Sequence, residues 1–384
     1  MQARETDICV LEKPIIISMD FSNSGQKKPW IETPLVESAT LSQQAECRIF
    51  LKLELLQPSG SFKSRGIGNF ILSALKNPAQ KDKKKHFYIS SGGNAGLAAV
   101  RAARDLNCPC SVVVPHSTKA FVITKLRELG AADVIQHGAS WFEADTYLRG
   151  TFTDNQDTAQ ETVNIYIPPF DHPDVWAGAA SMIDEIALQL PARSRERFMD
   201  VAGGFPADAI VCSVGGGGLF NGVVSGLEKY LDEFGCGADT ASTKSVQVIA
   251  AETSGADSLA HSLRCGELSS LDAITSQATS LGALRVASKA FSNAKFPPRG
   301  VQVTSVVASD AEAARGIVRL ADEMRLQVEL ACGVSVDVAV AGKLKEVMPD
   351  LTPESRVVVV VCGGSNITAE MIAEYRQLLK DGWE

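Results

Sequence analysis

The stretch AIVCSVGGGGLFNGVVSGLEKYL, residues 209–231, runs an apolar strand-like segment through four successive glycines into a helical pattern. Each glycine loses more backbone freedom on folding than any other residue. A merely tight turn would need one or two. Four can form a loop whose N–H groups converge on an anion, at a helix N-terminus that carries partial positive charge. A phosphate is the natural guest. The loop holds no Lys or Arg, so binding there relies on backbone donors. The dinucleotide pattern G-x-G-x-x-G fails in every register; Gly215 and Gly217, for instance, would need glycine where Phe220 stands. The G-K-[ST] of a P-loop is also absent.

The same alternation of short apolar run and helical segment recurs along the chain. HFYISS (86–91) leads to NAGLAAVRAARDL (94–106), and SVVVP (111–115) to KAFVITKLRELG (119–130). ADVIQHG (132–138) and VQVIAAE (246–252) read as further strands, and RVVVVVCGGSN (356–366) leads into TAEMIAEYRQLL (368–379). Continuous Val/Ile runs followed by helices imply buried parallel strands with crossover helices. The expected fold class is therefore α/β, with helices on both faces of a mostly parallel sheet. The polar segment 140–163 reads as a helix plus loop where one domain hands over to another. Two domains are expected: residues 1–56 with 161–384, and a smaller one at 57–160.

With 384 residues, 45% hydrophobic and 21% charged, the chain has ample material for a core. A net charge of −8 argues against nucleic acid or an anionic membrane as the main partner. The basic run KDKKK (81–85) reads as solvated surface. No apolar run reaches the roughly 18 residues needed to span a bilayer, and Glu5 and Asp7 fall too early for a signal peptide. Nine cysteines without a C-x-x-C pair point to reduced thiols and a cytoplasmic setting. Five histidines without H-x-x-x-H make a zinc site an unattractive reading.

Three further features carry chemistry. SSGGNAG (90–96) offers N–H groups at a helix start, together with Asn94 and serine hydroxyls. A carboxylate fits such a nest, although an ordinary capped helix would look the same. Cys362 ends a fully apolar strand, where ligands bind in parallel sheets; a small buried hydrophobe is the plainer reading. In LQPSGSFKSRG (56–66), Lys63 is either a solvated charge at a helix start or a buried amine. A phosphate cradle, a carboxylate nest and one suitable lysine are together what pyridoxal-phosphate chemistry on amino acids requires.

The motifs SGSFKSRG, SSGGNAG, SVGGGGL, ETSGADS, VELACG and VCGGSN occur in the order and approximate spacing of fold-type II pyridoxal-phosphate enzymes. The chain resembles in particular the eukaryotic L-serine/L-threonine dehydratases, from about Trp30 to the final helix. The first 25 or so residues and the 150–163 segment look variable within that family and receive no role. The resemblance implies two open twisted sheets of the tryptophan synthase β type. It also implies that Lys63 forms the internal aldimine and removes the substrate α-proton. Phe62 would stack on one ring face and Ser280 would lie against the other. Gly215, Gly216, Gly217, Gly218 and Leu219 would bind phosphate, and Asn94 the ring 3′-oxygen. Ser91, Gly92 and Ala95, with Ser64 nearby, would hold the substrate carboxylate. Cys362 would sit at the pyridine nitrogen as a weak partner, leaving the ring a modest electron sink suited to elimination. The cofactor phosphate would protonate the leaving hydroxide.

Glu252, Ala256, Ser258, Leu281 and Ala283 would surround a monovalent cation such as K+, although a strand-end Glu capping a loop is the simpler reading of Glu252 without the family. Serine racemases and longer threonine deaminases carry histidine where this chain has Ala95. Ser90 and Ser91 nonetheless remain candidates for a second acid/base, so minor racemase activity stays open, as does a β-replacement enzyme of the same fold. The expected partner is a small amino-acid substrate, and a homodimer is expected from the family. The chain ends soon after Asn366, so a catabolic enzyme without a regulatory domain is expected.

Overall fold

The computed structural model describes residues 27–154, 161–191, 204–234 and 245–384. The N-terminal segment, with its expected lack of a signal peptide, lies outside those residues, as does 155–160. Two sheets organise the chain. The larger has six strands in the order β1 (Leu35–Glu37), β2 (Arg48–Lys52), β10 (Arg356–Val360), β7 (Ala209–Ser213), β8 (Val246–Thr253), β9 (Val301–Ala308). Only β1 is antiparallel to its neighbour. The smaller sheet is wholly parallel, in the order β5 (Asp133–Gln136), β4 (Cys110–Val114), β3 (Lys84–Ile89), β6 (Thr162–Tyr166). Every residue of β10 and β7 is buried, because helices cover both faces of a parallel sheet. The expected α/β class with two mostly parallel sheets is what the chain forms.

The smaller sheet extends past the sequence-derived boundary at residue 160. β6 pairs with β3 from Lys84↔Thr162 to Tyr88↔Tyr166, so residues 162–166 belong with the small sheet and not with 161–384. The strand TVNIY is half-buried throughout. Its mixed composition therefore lacks the continuous apolar run that marks the other strands. One part of the basic run also departs from expectation. Lys85 lies on β3, is buried, and donates from Nζ to the Gln80 carbonyl at 2.7 Å.

Helix Pro173–Gln189 joins the two cores: Val175 packs in the small one, and Met182, Ile183 and Ile186 in the large one. It lies close against helix Lys63–Lys76. A Cβ on Gly66 would meet the Val175 carbonyl at 2.7 Å, and one on Gly178 would strike the Arg65 carbonyl. Glycine at both positions permits that approach.

A buried ion network locks this junction. Arg65, 0% exposed, donates from Nε to Glu54 Oε2 at 2.7 Å and from Nη1 to Glu185 Oε1 at 2.6 Å. Lys52 Nζ donates to Glu185 Oε2 at 2.6 Å and to the Thr33 carbonyl at 2.7 Å. Thr33 Oγ1 donates to Glu54 Oε1 at 2.5 Å. The two cations thus match the two carboxylates, each held by several hydrogen bonds. Removing one member leaves an uncompensated buried charge. Glu54→Ala is expected to destabilise the fold by about 3–5 kcal/mol. Glu37→Ala, which breaks the surface pair with Arg48, should cost less than about 1 kcal/mol. Urea unfolding of the two variants side by side checks the difference.

Candidate active site

Lys63 begins its helix beside the end of β10. The backbone N–H of Phe62 donates to the Cys362 carbonyl at 3.0 Å, and that of Gly364 to the Gly60 carbonyl at 3.0 Å. Ser61 and Gly363 form an isolated antiparallel bridge. Residues 300 positions apart in sequence are therefore stitched together, with the lysine next to the cysteine-bearing strand end. Lys63 Nζ donates to the Pro169 carbonyl at 2.7 Å and lies 5.3 Å from the Phe62 ring centroid.

The segment after β6 connects this amine to the glycine loop. Phe170 follows Pro169, and the Phe170 carbonyl is held by Trp176 Nε1 at 2.8 Å. A Cβ on Gly216 would meet the Phe170 ring at 2.5 Å. Gly217 has φ +93°, and a Cβ there would meet Ala290 Cβ at 2.6 Å. Helix Gly218–Phe234 starts immediately afterwards. The N–H groups of Gly215, Gly216, Gly217, Gly218 and Leu219 meet no acceptor among the described residues. Unsatisfied donors at a helix start form an anion site.

Helix Asn94–Asp105 starts at the C-terminal end of β3. The N–H groups of Gly92, Gly93, Asn94 and Ala95 likewise find no acceptor among the described residues. The Asn94 amide is held at both ends. Nδ2 donates to Glu329 Oε1 at 2.8 Å, and Oδ1 accepts from the Ser365 N–H at 3.0 Å. Ser280 reaches the same Glu329 carboxylate with its hydroxyl.

Two serines of the sequence reading have their hydroxyls committed elsewhere. Ser90 is buried and donates to Asp145, which also accepts from Tyr166 and Arg149. Its hydroxyl serves the small-sheet core, which removes it as an acid/base candidate. Ser64 is buried with its Oγ 2.8 Å from Ser59 Oγ, where it also accepts from the Ser59 N–H. It closes the Pro-Ser-Gly turn ahead of Lys63. Ser91 lies in the Asn94 loop and is half-buried.

The profile of the family described as "Pyridoxal-phosphate dependent enzyme" matches residues 27–363. This chain belongs to that family. It is 38% identical over 348 residues to the catabolic L-serine/threonine dehydratase of Saccharomyces cerevisiae, covering 89% of each chain. It is 38% identical over 342 residues to the human protein named serine dehydratase-like, covering 88% of this chain and 92% of the human one. Among solved structures it matches a fungal L-serine ammonia-lyase from Rhizomucor miehei, with TM-score 0.76 and 32% identity over 91% of this chain and 99% of the other.

The residues present in this pyridoxal-phosphate enzyme fit the cofactor. A doubly charged phosphate suits the five unpaired N–H groups, and an aldehyde suits the amine between Phe62 and Pro169. Burial pushes the Lys63 amine down to about 8, against the opposing pull of Cys362 and Glu329. A substantial neutral fraction near physiological pH is what a Schiff-base lysine requires. Cys362 is buried beside Cys332 and 3.6 Å from Ser213 Oγ. The neighbouring Cys332 thiol and burial hold Cys362 well above its ordinary range, so it stays a neutral thiol.

The expected cation residues assemble differently from an open ligand ring. Glu252, 0% exposed, accepts from the Leu259 and Ala260 N–H groups, each at 2.8 Å. Its carboxylate thus caps helix Ser258–Cys265. Burial raises it to about 8 despite those two bonds. The Leu281 carbonyl accepts from the Ala283 N–H at 2.7 Å. Ser258 Oγ is buried without a hydrogen-bond partner among the described residues, and no cluster of three or more His, Cys, Asp or Glu side chains gathers there.

Sequence reasoning missed Pro169, Phe170, Ser213, Cys332 and Glu329. Glu329 and Cys332 sit in the quoted VELACG and Ser213 opens the quoted SVGGGGL, so those motifs were the available signals. Pro169 and Phe170 act through contacts that no local pattern reveals.

Gly217→Ala would force alanine to φ +93° against Ala290 and shift the loop donors. The variant is expected to fold yet bind pyridoxal phosphate at least about tenfold more weakly. Titration of the cofactor's visible absorbance on apoprotein measures that loss.

Proposed function

We propose that this enzyme eliminates water from L-serine, and from L-threonine, to give pyruvate or 2-oxobutanoate and ammonia. What supports this reading is a half-buried Lys63 whose amine is lowered to about 8 and bonds the Pro169 carbonyl, next to the Phe170 ring that packs on the glycine loop, together with unpaired N–H groups in both glycine-rich loops, in a chain 38% identical to a catabolic L-serine/threonine dehydratase. When bound, pyridoxal phosphate supplies the electron sink that lets an amino-acid α-carbon lose its proton.

Gly215 to Leu219 hold the phosphate through backbone donors. Gly92 and Ala95, with Ser91, orient the substrate carboxylate. Phe62 would cover one face of the ring, with Ser280 on the other side. The neutral form of Lys63 Nζ takes the α-proton. Cys362, a neutral thiol, offers no negative charge to hold a proton on the pyridine nitrogen. That arrangement suits a reaction in which the β-hydroxyl departs as the α-proton is removed. One water is lost in this elimination, and one is consumed when the released enamine hydrolyses. With Ser90 bound to Asp145, a racemase reading rests on Ser91 alone.

A lactate-dehydrogenase-coupled assay on L-serine, with L-threonine and D-serine as comparators, tests the activity. Pyruvate from L-serine is expected, with D-serine inert. Lys63→Ala is expected to abolish turnover; pyruvate formation by that variant would remove Lys63 from the role of base. The lowered amine also sets a pH dependence. Below about 8 Lys63 is mostly protonated, so the rate of cofactor uptake by apoprotein should rise with pH and level off above about 8. Stopped-flow reconstitution at several pH values reads this directly. A flat profile would contradict a titrating Lys63.

The Glu252 region is proposed as a K+ site, supported by the buried carboxylate and the unpartnered Ser258 hydroxyl. Its pKa is raised, so between the ordinary carboxylate range and about 8 the unfolded chain gives up a proton that the folded chain still holds, and rising pH weakens the fold. A bound cation would offset that loss. KCl should therefore raise the melting temperature above that in tetramethylammonium chloride, more at pH 8.5 than at pH 6, and Glu252→Gln should abolish the difference.

A further inference from the structure

We propose that Glu329 is a positioning residue whose carboxylate fixes the Asn94 amide so that one N–H is presented to the cofactor's ring 3′-oxygen. The proposal rests on the reading that Asn94 faces that oxygen.

Glu329 is 4% exposed and occupies the N-cap position of helix Leu330–Val340. Its carbonyl accepts from the Cys332 and Gly333 N–H groups at 2.9 and 3.0 Å, which fixes the backbone. Its side chain meets only donors: Asn94 Nδ2 at 2.8 Å, the Asn366 N–H at 3.2 Å and the Ser280 hydroxyl. An ionised carboxylate, which only accepts, matches all three. A glutamine cannot, because its NH2 group would face a donor.

Asn94 is constrained from the other side as well. Its Oδ1 accepts from both the N–H and the hydroxyl of Ser365, at 3.0 and 3.2 Å. A flipped amide would aim its carbonyl at a carboxylate and its NH2 at an N–H donor. The orientation is therefore determined at both ends. One Nδ2 hydrogen is used by Glu329, which leaves the other available. Gly364, at φ +110°, makes room, since a Cβ there would collide with the Glu329 carboxylate. The lock also spans both sheets: Asn94 follows the small-sheet strand β3, whereas Ser365 and Asn366 follow the large-sheet strand β10. Burial raises the Glu329 pKa overall, while its hydrogen bonds and, more weakly, the charge of Lys63 favour the ionised form.

The test uses the full chain in four forms: wild type, Glu329→Gln, Asn94→Ala and the double variant. Pyridoxal phosphate affinity of each apoprotein is measured by visible absorbance, together with the pH at which the bound spectrum changes. Glu329→Gln is expected to weaken binding about ten- to a hundredfold, the scale of one charge-assisted hydrogen bond. The double variant should bind no worse than Asn94→Ala, within about threefold, because Glu329 acts through Asn94. Both single variants should move the spectral transition in the same direction.

Losses that multiply in the double variant would overturn the proposal, as would wild-type affinity in Glu329→Gln when Asn94→Ala is impaired. Unimpaired binding by Asn94→Ala would instead overturn the assignment of Asn94, and the proposal with it. Should Glu329→Gln fail to fold, Ser365→Ala replaces it. That change removes one donor to Asn94 Oδ1 and should cost affinity several-fold in the wild-type background and nothing in the Asn94→Ala background. Equal losses in both backgrounds would overturn the proposal.

Discussion

The site depends on the backbone stitching between β10 and the segment that leads to Lys63. Val361 N–H donates to the Lys52 carbonyl and Leu55 N–H to the Val361 carbonyl. The Phe62 to Cys362 and Gly364 to Gly60 bonds continue the register beyond the strand. Gly363 is required at the closest point, since a Cβ would collide with the Gly60 carbonyl and Leu55. Helix Lys63–Lys76 packs its apolar face in the small core, through Ile67, Phe70 and Ile71. Its first residue is nevertheless fixed to the large sheet. The relative positions of amine and thiol are thus set by main-chain hydrogen bonds, which side-chain repacking elsewhere disturbs little.

That geometry explains how charge is kept out of the pocket until it is needed. Arg65 stands two residues from Lys63, and an unengaged guanidinium there would compete for an incoming phosphate. It is instead surrounded by Glu54 and Glu185, with Lys52 completing the balance. Buried ion networks of this kind contribute little net stability compared with apolar packing. Here the network fixes the helix that starts at Lys63 while its charges cancel. The amine then faces a neutral thiol, a set of backbone dipoles and the single Glu329 carboxylate. In such surroundings burial dominates, and the amine falls to about 8.

The fold was legible wherever a strand is buried on both faces. RVVVV of β10 and AIVCS of β7 announce themselves, whereas half-buried β6 does not, and the small domain was consequently drawn one strand short. Lys63, Asn94, Cys362 and the four glycines were legible for a related reason. Each sits at a strand-to-helix or turn-to-helix junction whose local composition is unusual. Glu329, Phe170 and Cys332 have no such signature. Glu329 opens a helix apolar enough to read as core, and Phe170 reads as an ordinary aromatic in a Pro-rich loop. Their importance arises from what folding brings against them. Lys85 shows the converse error: a charge run reads as solvated surface, although the strand that begins at its end turns one amine inward.

Glycine is where the sequence reading needed most help from the structure. Gly216 would be required by the Phe170 ring and Gly217 by its backbone angle whether or not any anion were bound. Close packing therefore explains the missing side chains without invoking a ligand, and the glycine count alone overstates the case for one. Packing does not explain five consecutive N–H groups without acceptors among the described residues. Left dry and unpaired, each would cost about 1–3 kcal/mol, and five together would rival the whole stability of a typical domain. The cleft must then supply acceptors, either water or an anion. Donors that converge at the start of helix Gly218–Phe234, with the helix dipole behind them, favour the anion over neutral water. The unpaired donors, more than the glycines themselves, are the physical signature of an anion site.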